Sequence, residues 1–87
     1  MSASVHWSPR AVRDLARLPL RVAAAVATYV DERLATNPLR LSKPLAGDLD
    51  GVRSARNGDY RVLFDYDEET ESILIVRVGH RAHVYRT

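Results

Sequence analysis

Apolar residues recur with a helical period in the first half of this chain and with a strand-like pattern in the second. Val5 to Trp7 reads as a short first strand. Ser8-Pro9 then supplies an N-cap and a first helical residue: the serine oxygen can accept from a free amide of the first turn, and proline needs no donor there. A short helix is expected to about Leu18, with Val12, Leu15 and Leu18 at spacings of three on one face. Pro19 restarts the chain. Val22, Val26, Val30 and Leu34 recur every four residues beside Tyr29, predicting a longer helix over Leu20 to Thr36 whose stripe packs on a core. Asn37-Pro38 ends it, because the residue before a proline is pushed out of the helical region. Two helices joined at one proline make a helical hairpin.

From Leu39 to Asp50 the periodicity is lost, and Pro44, Gly47 and Gly51 mark a loop. Strands are expected at Val52–Arg56, Tyr60–Tyr66 and Ser72–Val78. Asn57-Gly58 lies between the first two, a strong hairpin signal. Ile73-Leu74-Ile75-Val76 is apolar on both sides and rich in β-branched residues, as a central strand should be. The fold class is α+β: an antiparallel sheet of about four strands with an N-terminal helical hairpin packed on one face. Residues 1–87 are expected to form a single domain.

Composition narrows the class. With 87 residues the core lies near the lower limit for independent folding, and 46% apolar content marks a globular chain rather than a disordered one. Cysteine is absent, which excludes a disulfide framework and cysteine-based zinc sites. The three histidines have no ligand spacing, so no metal or other cofactor is expected. The longest apolar run, Val22 to Val30, is interrupted by Thr28 and too short to span a bilayer. The first residues lack the pattern of a signal peptide, so no membrane partner and a cytoplasmic location are expected.

The net charge of +2 says little, but its distribution says more. Asp65, Asp67, Glu68, Glu69 and Glu71 gather five of the eleven acids into one turn, leaving thirteen Lys and Arg against six acids elsewhere. Such a surface suits a polyanion, with affinity that falls as salt rises. A solvated surface balanced across a hairpin is the alternative.

Several side chains could carry chemistry. In a strand beginning at Tyr60, Arg61 falls on the face opposite Tyr60 and Val62. There its planar fork could hold a phosphate by two hydrogen bonds, or it could form a cross-strand ion pair with Asp59 or Asp65. Arg81 could stabilise charge on a pentavalent phosphorus, and His80 and His83 could act as general acid or base or simply pack at the surface. Tyr85 either anchors the last strand or stacks beside a bound nucleotide. Arg53 and Arg56, with Arg86 near the end of the chain, read as backbone contacts to RNA or as solvated edge charges. Arg10, Arg13, Arg17 and Arg21 form a basic helical stripe, most simply a solvent face. Trp7 and Tyr60 belong to the core or its rim.

The ordered set Ser-Pro-x-Ala, Leu-Pro, Asn-Pro, Lys-Pro-Leu-x-Gly, Gly58-Asp59-Tyr60-Arg61, Gly79-His80-Arg81 and Tyr85-Arg86 resembles the RelE/ParE superfamily of toxin–antitoxin toxins, and its RelE branch in particular. The resemblance covers nearly the whole chain. It implies a metal-independent endoribonuclease that enters the ribosomal A site and cuts mRNA. The 2′-hydroxyl attacks the adjacent phosphate, leaving a 2′,3′-cyclic phosphate and a 5′-hydroxyl. By the same resemblance Arg61 would stabilise the phosphorane, and Arg81 would assist the leaving oxygen. Tyr85 would orient the substrate and could activate the 2′-hydroxyl, and Arg56 would line the site.

The chain carries Val52 and Ser54 where the best-known RelE pattern has lysines. This leaves the general base to Tyr85 or a histidine, or implies slower cleavage or a different codon preference. The resemblance also implies a cognate antitoxin whose segment folds along the toxin, with Val12, Leu15 and Leu18 as an apolar groove if they are partly exposed. Two other functions fit the fold: a ParE-like gyrase poison that cuts nothing, and an inactive module that binds RNA or an antitoxin.

Overall fold

A computed structural model describes residues 2–85. Strand β1 spans Ser4–Trp7, helix α1 Pro9–Ala16 and helix α2 Leu20–Tyr29; α2 runs on into a π turn, Val30–Leu34. Strands β2 (Ser42–Pro44), β3 (Arg53–Asn57), β4 (Tyr60–Asp67) and β5 (Ser72–His80) follow, with a 3-10 turn at Gly47–Leu49. The sheet has five strands in the order β1-β5-β4-β3-β2.

The expected α+β layering holds, with two differences. The sheet is mixed, because β1 runs parallel to β5, Ser4 facing Ser72 and Trp7 facing Ile75. A parallel pair needs a long crossover, and the helices provide it. The second difference is β2, which occupies part of the segment expected as loop. It pairs antiparallel with β3 through only three residues, one of them Pro44, too few to show an alternation.

The helix signals take the expected structural form at the start of α1. Ser8 caps α1, its Oγ accepting from Ala11 N at 3.0 Å, and Pro9 is the first helical residue. The helix ends at Ala16, earlier than expected, and its buried face is turned toward Ala11 and Asp14; Val12 is exposed, while Leu15 and Leu18 lie half-buried against the core. On α2 and the π turn that continues it, Val26, Val30 and Leu34 are fully buried and Val22 packs beside them. A spacing of four drifts around a helix of 3.6 residues per turn. The π turn, closed by Ala35 N donating to Val30 O at 2.9 Å, widens the last turn and keeps the stripe on the sheet.

The β3–β4 turn is centred on Gly58-Asp59, flanked by the Asn57/Tyr60 pair, one residue later than an Asn57-Gly58 turn. Gly58 takes φ 61°, which suits glycine at the first central position of a two-residue hairpin. The register decides the faces: Val62 and Phe64 join Ile73, Ile75 and Val78 in the core under the helices. A bulge between Leu63 and Phe64 leaves Val76 opposite neither, so that Ile75 and Val78, three apart, both point inward. β5 lies inside the sheet, as expected of a central strand, although its partner β1 was not foreseen and Leu74 on its outer face is 41% exposed.

Past Trp7, β5 loses its strand partner on one side, and α1 takes over. Ser8 N donates to Ile75 O, Ser8 Oγ donates to Val76 O, and the buried Asp14 accepts from Val78 N at 3.0 Å. Asp14 also pairs with Arg77 Nε at 3.4 Å. Side chains thus continue the ladder where backbone stops, so the buried donors and acceptors stay satisfied. Among the described residues, no helix is long and apolar enough to cross a membrane.

Candidate active site

The face of the sheet away from the helices carries Lys43, Arg56 and Arg61. Strand alternation places Ser54 and Arg56 on one side of β3, and Arg61 and Leu63 on the same side of β4, since Ser54 pairs with Leu63 and Arg56 with Arg61. Gly79 pairs with Arg61 on β5. Val84 sits on Gly79: a Cβ there would meet Val84 Cβ at 3.4 Å. Because Val84 is fully buried, the C-terminal turn is folded onto this face. Arg81 N donating to Asp59 O and Val84 N donating to His80 O hold that turn. It delivers Tyr85, whose hydroxyl shares a hydrogen bond of 3.0 Å with Ser54 Oγ.

These elements bound a cleft of about 590 Å³, lined by Arg40, Leu41, Ser42, Lys43, Pro44, Leu45, Ser54, Arg56, Arg61 and Tyr85. Four of these residues are cationic and none is a carboxylate. Arg56 and Arg61 face each other directly across the ladder, an arrangement of like charges that is unfavourable until an anion lies between them. Arg61 forms no ion pair with Asp59 or Asp65 among the described residues. Its Nη1 instead donates to Gly58 O and Tyr60 O, both at 3.0 Å, which steadies the guanidinium on its own turn.

The other candidates lie elsewhere. Arg53 alternates to the face of Ala55 and Phe64, where its Nε donates to Ser42 Oγ at 2.7 Å and its Nη2 to Ser42 O and Leu39 O. It clasps the segment leading into β2 instead of facing the cleft. His80 pairs with Tyr60 on the core side, stacking edge-to-face at 5.6 Å, and its Nδ1 accepts from Ala82 N. The exposed ring of His83 lies 6.0 Å from that of His80, so neither histidine lines the cleft. Arg81 is exposed and contacts Asp59 at 3.8 Å outside the cleft lining. Arg86 lies outside the described residues.

Arg40 and Lys43 are cleft residues not expected at the site: Lys43 stands in the sequence as the first residue of the Lys-Pro-Leu-x-Gly motif, without a chemical role, and Arg40 is not marked at all.

The likeness to known proteins agrees with this architecture. A family profile described as "ParE toxin of type II toxin-antitoxin system, parDE" matches residues 5–85. The chain belongs to this class of toxins, the RelE/ParE superfamily. Within it the resemblance runs to the RelE/RelG-like branch. Toxin RelG of Mycobacterium tuberculosis (strain ATCC 25618 / H37Rv) is 44% identical over 86 residues, 99% of each chain. Toxin RelE of the same organism is 46% identical over 76 residues, 87% of this chain and 78% of that one. A chain in the crystal structure of the M. tuberculosis toxin-antitoxin complex RelBE2 superposes with a TM-score of 0.89 at 42% identity, over 93% of this chain and 100% of that one. The profile carries the ParE name, but near-full-length identity is the finer measure and sets the branch.

Proposed function

We propose that the cleft is the active centre of a ribosome-dependent endoribonuclease that cuts mRNA in the A site and so inhibits translation. The observation that carries this reading is the opposed Arg56/Arg61 pair in a cleft with two more cations, a phenol and no carboxylate among its described lining residues. A phosphodiester entering there converts a repulsive arrangement into an attractive one.

The reaction is internal to the RNA. The 2′-oxygen bonds to the adjacent phosphorus as it gives up its proton, the bond to the 5′-oxygen breaks, and that oxygen gains a proton. Arg61, with Arg56 beside it, holds the non-bridging oxygens as negative charge builds on phosphorus. Tyr85 orients the nucleotide, and its hydroxyl relays the 2′-hydroxyl proton, passing its own proton to water as it accepts the new one, while water supplies the proton that the leaving 5′-oxygen gains; both histidines lie off the cleft. Arg81 serves the leaving oxygen by releasing Asp59, and an exposed pair of this kind costs no more than about 1 kcal/mol to break.

The protein partner in this reading is an antitoxin. The structurally similar M. tuberculosis chain was crystallised in a toxin-antitoxin complex, which supports it. Of the residues expected to form an apolar groove for the antitoxin, Val12 is exposed and Leu15 and Leu18 are partly exposed, which is compatible with that role.

The test is primer extension on a defined mRNA in a purified translation system, with wild type and Arg61→Ala. Discrete 5′ ends within A-site codons, lost in the variant, support the reading. The ParE name of the matching profile favours one second reading, a gyrase poison. Uncut message together with inhibited DNA supercoiling, unchanged by Arg61→Ala, would establish that instead.

A further inference from the structure

Strand β2 is three residues long, and its middle residue, Lys43, stands directly opposite Ser54. Directly paired residues of antiparallel strands share a face. Lys43 therefore rises from the side that carries Ser54, Arg56 and Arg61, and it lines the same cleft. Ser54 is also the residue that holds the Tyr85 hydroxyl, at 3.0 Å. Lys43 is thus one strand removed from the phenol, on the opposite wall from Arg61.

Its placement is fixed from both sides. The β2–β3 ladder sets its register, and the preceding residue is gripped by Arg53 through Ser42 Oγ at 2.7 Å and Ser42 O at 3.1 Å. Arg40 precedes the strand in a turn, without this support. Arg61 has part of its donor set committed to Gly58 O and Tyr60 O. A phosphorane carries one more negative charge than the diester it comes from, so a second, uncommitted donor group gains most as the reaction proceeds. The Lys43 ammonium has three donors and no acceptor to satisfy.

We propose that Lys43 is a substrate-contacting catalytic cation, whose ammonium neutralises a non-bridging oxygen of the scissile phosphate from the β2 side while Arg61 approaches from the β4 side. The proposal rests on the cleft being an RNA-cleavage site. Lys43 transfers no proton: the 2′-oxygen–phosphorus bond forms and the phosphorus–5′-oxygen bond breaks as above, and the ammonium keeps its three protons throughout.

The experiment measures single-turnover cleavage of ribosome-programmed mRNA by wild type, Lys43→Ala and Lys43→Arg, over a range of toxin concentrations, with Arg61→Ala as a control. Lys43 is exposed, so the variants should fold, and circular dichroism checks that they do. A cation acting on the reacting phosphate predicts that Lys43→Ala slows the saturated rate by about 100-fold, the lower end of what one stabilising donor supplies. Lys43→Arg, which keeps the charge, should recover most of that loss, leaving the rate within about tenfold of wild type. Lys43→Ala cleaving at the wild-type rate overturns the proposal and leaves the RNA-cleavage reading intact. A change only in the half-saturating concentration also overturns it, by placing the ammonium away from the reacting phosphate. A wild-type protein that cuts nothing overturns the underlying reading, and this proposal with it.

Discussion

Ser54 and Tyr85 lie thirty-one residues apart in sequence and share a hydrogen bond of 3.0 Å across the cleft floor. Ser54 is held in a β ladder between Lys43 and Leu63, while Tyr85 arrives on a turn after the last strand. The bond therefore couples the chain's C-terminal turn to the sheet that carries Arg56 and Arg61. Tyr85→Phe should leave unfolding in urea within about 1 kcal/mol of wild type, the usual net worth of such a bond. Cleavage should fall about 10²- to 10⁴-fold, the range for loss of a positioned proton acceptor. Ser54→Ala should cost less, and the double variant should be no slower than Tyr85→Phe alone.

Gly79 has no strain to relieve, yet it has a neighbour. The gap to Val84 admits a methyl group and little more, at 3.4 Å from its Cβ position. Gly79→Ala should be accepted. Gly79→Val should lift Val84 and carry Tyr85 away from Ser54, abolishing cleavage while far-ultraviolet circular dichroism stays native.

Asp14 closes the sheet where β1 ends. Asp14→Ala leaves the Val78 amide without its acceptor and Arg77 without this carboxylate. A buried hydrogen bond to a charged group is worth about 1.5–3 kcal/mol, so the urea midpoint should fall by a corresponding amount. Asp14→Asn keeps an acceptor and should cost less.

How far the sequence reveals this arrangement depends on the range of the interaction. Ser8-Pro9, the Val22–Leu34 stripe and the alternation through Tyr60, Arg61 and Val62 are local: the first predicts where α1 starts but not which face it buries, and the other two predict both element and face. The partner of β1 is not local: nothing in Ser4–Trp7 says that it pairs parallel with β5 after a crossover. Asp14 reads as a polar residue of a helix face, because its acceptor role exists only once Val78 is beside it. His80 and Arg81 are adjacent to Gly79, but one register step sends His80 to the Tyr60 side. Lys43 enters the cleft only because a three-residue strand, too short to be seen as a pattern, sets it against Ser54.

Glu71 adopts φ 53°, a left-handed conformation that glycine tolerates and a side chain resists. Glu71→Gly should therefore raise stability by up to about 1 kcal/mol, seen as a higher midpoint in urea, with cleavage unchanged.

Burial pushes the Tyr29 phenol above its ordinary value of 10.0, against an opposing pull from Arg33. The folded protein then holds this proton more tightly than the unfolded chain. The associated stability is complete below the unfolded value and is lost as pH rises through the folded one. Tyr29→Phe should flatten the decline in stability above about pH 10. An alkaline absorbance titration should show one fewer late-titrating phenol.

The central claim is that the cleft promotes attack by the RNA's own 2′-hydroxyl. The measurement that tests it most directly uses ribosome-programmed mRNA with a single 2′-deoxynucleotide on the 5′ side of the mapped cut. The account predicts that cleavage at that bond disappears while the same codon in all-ribose message is cut, with a 2′,3′-cyclic phosphate on the upstream product. Cleavage that persists at the deoxy position would contradict it.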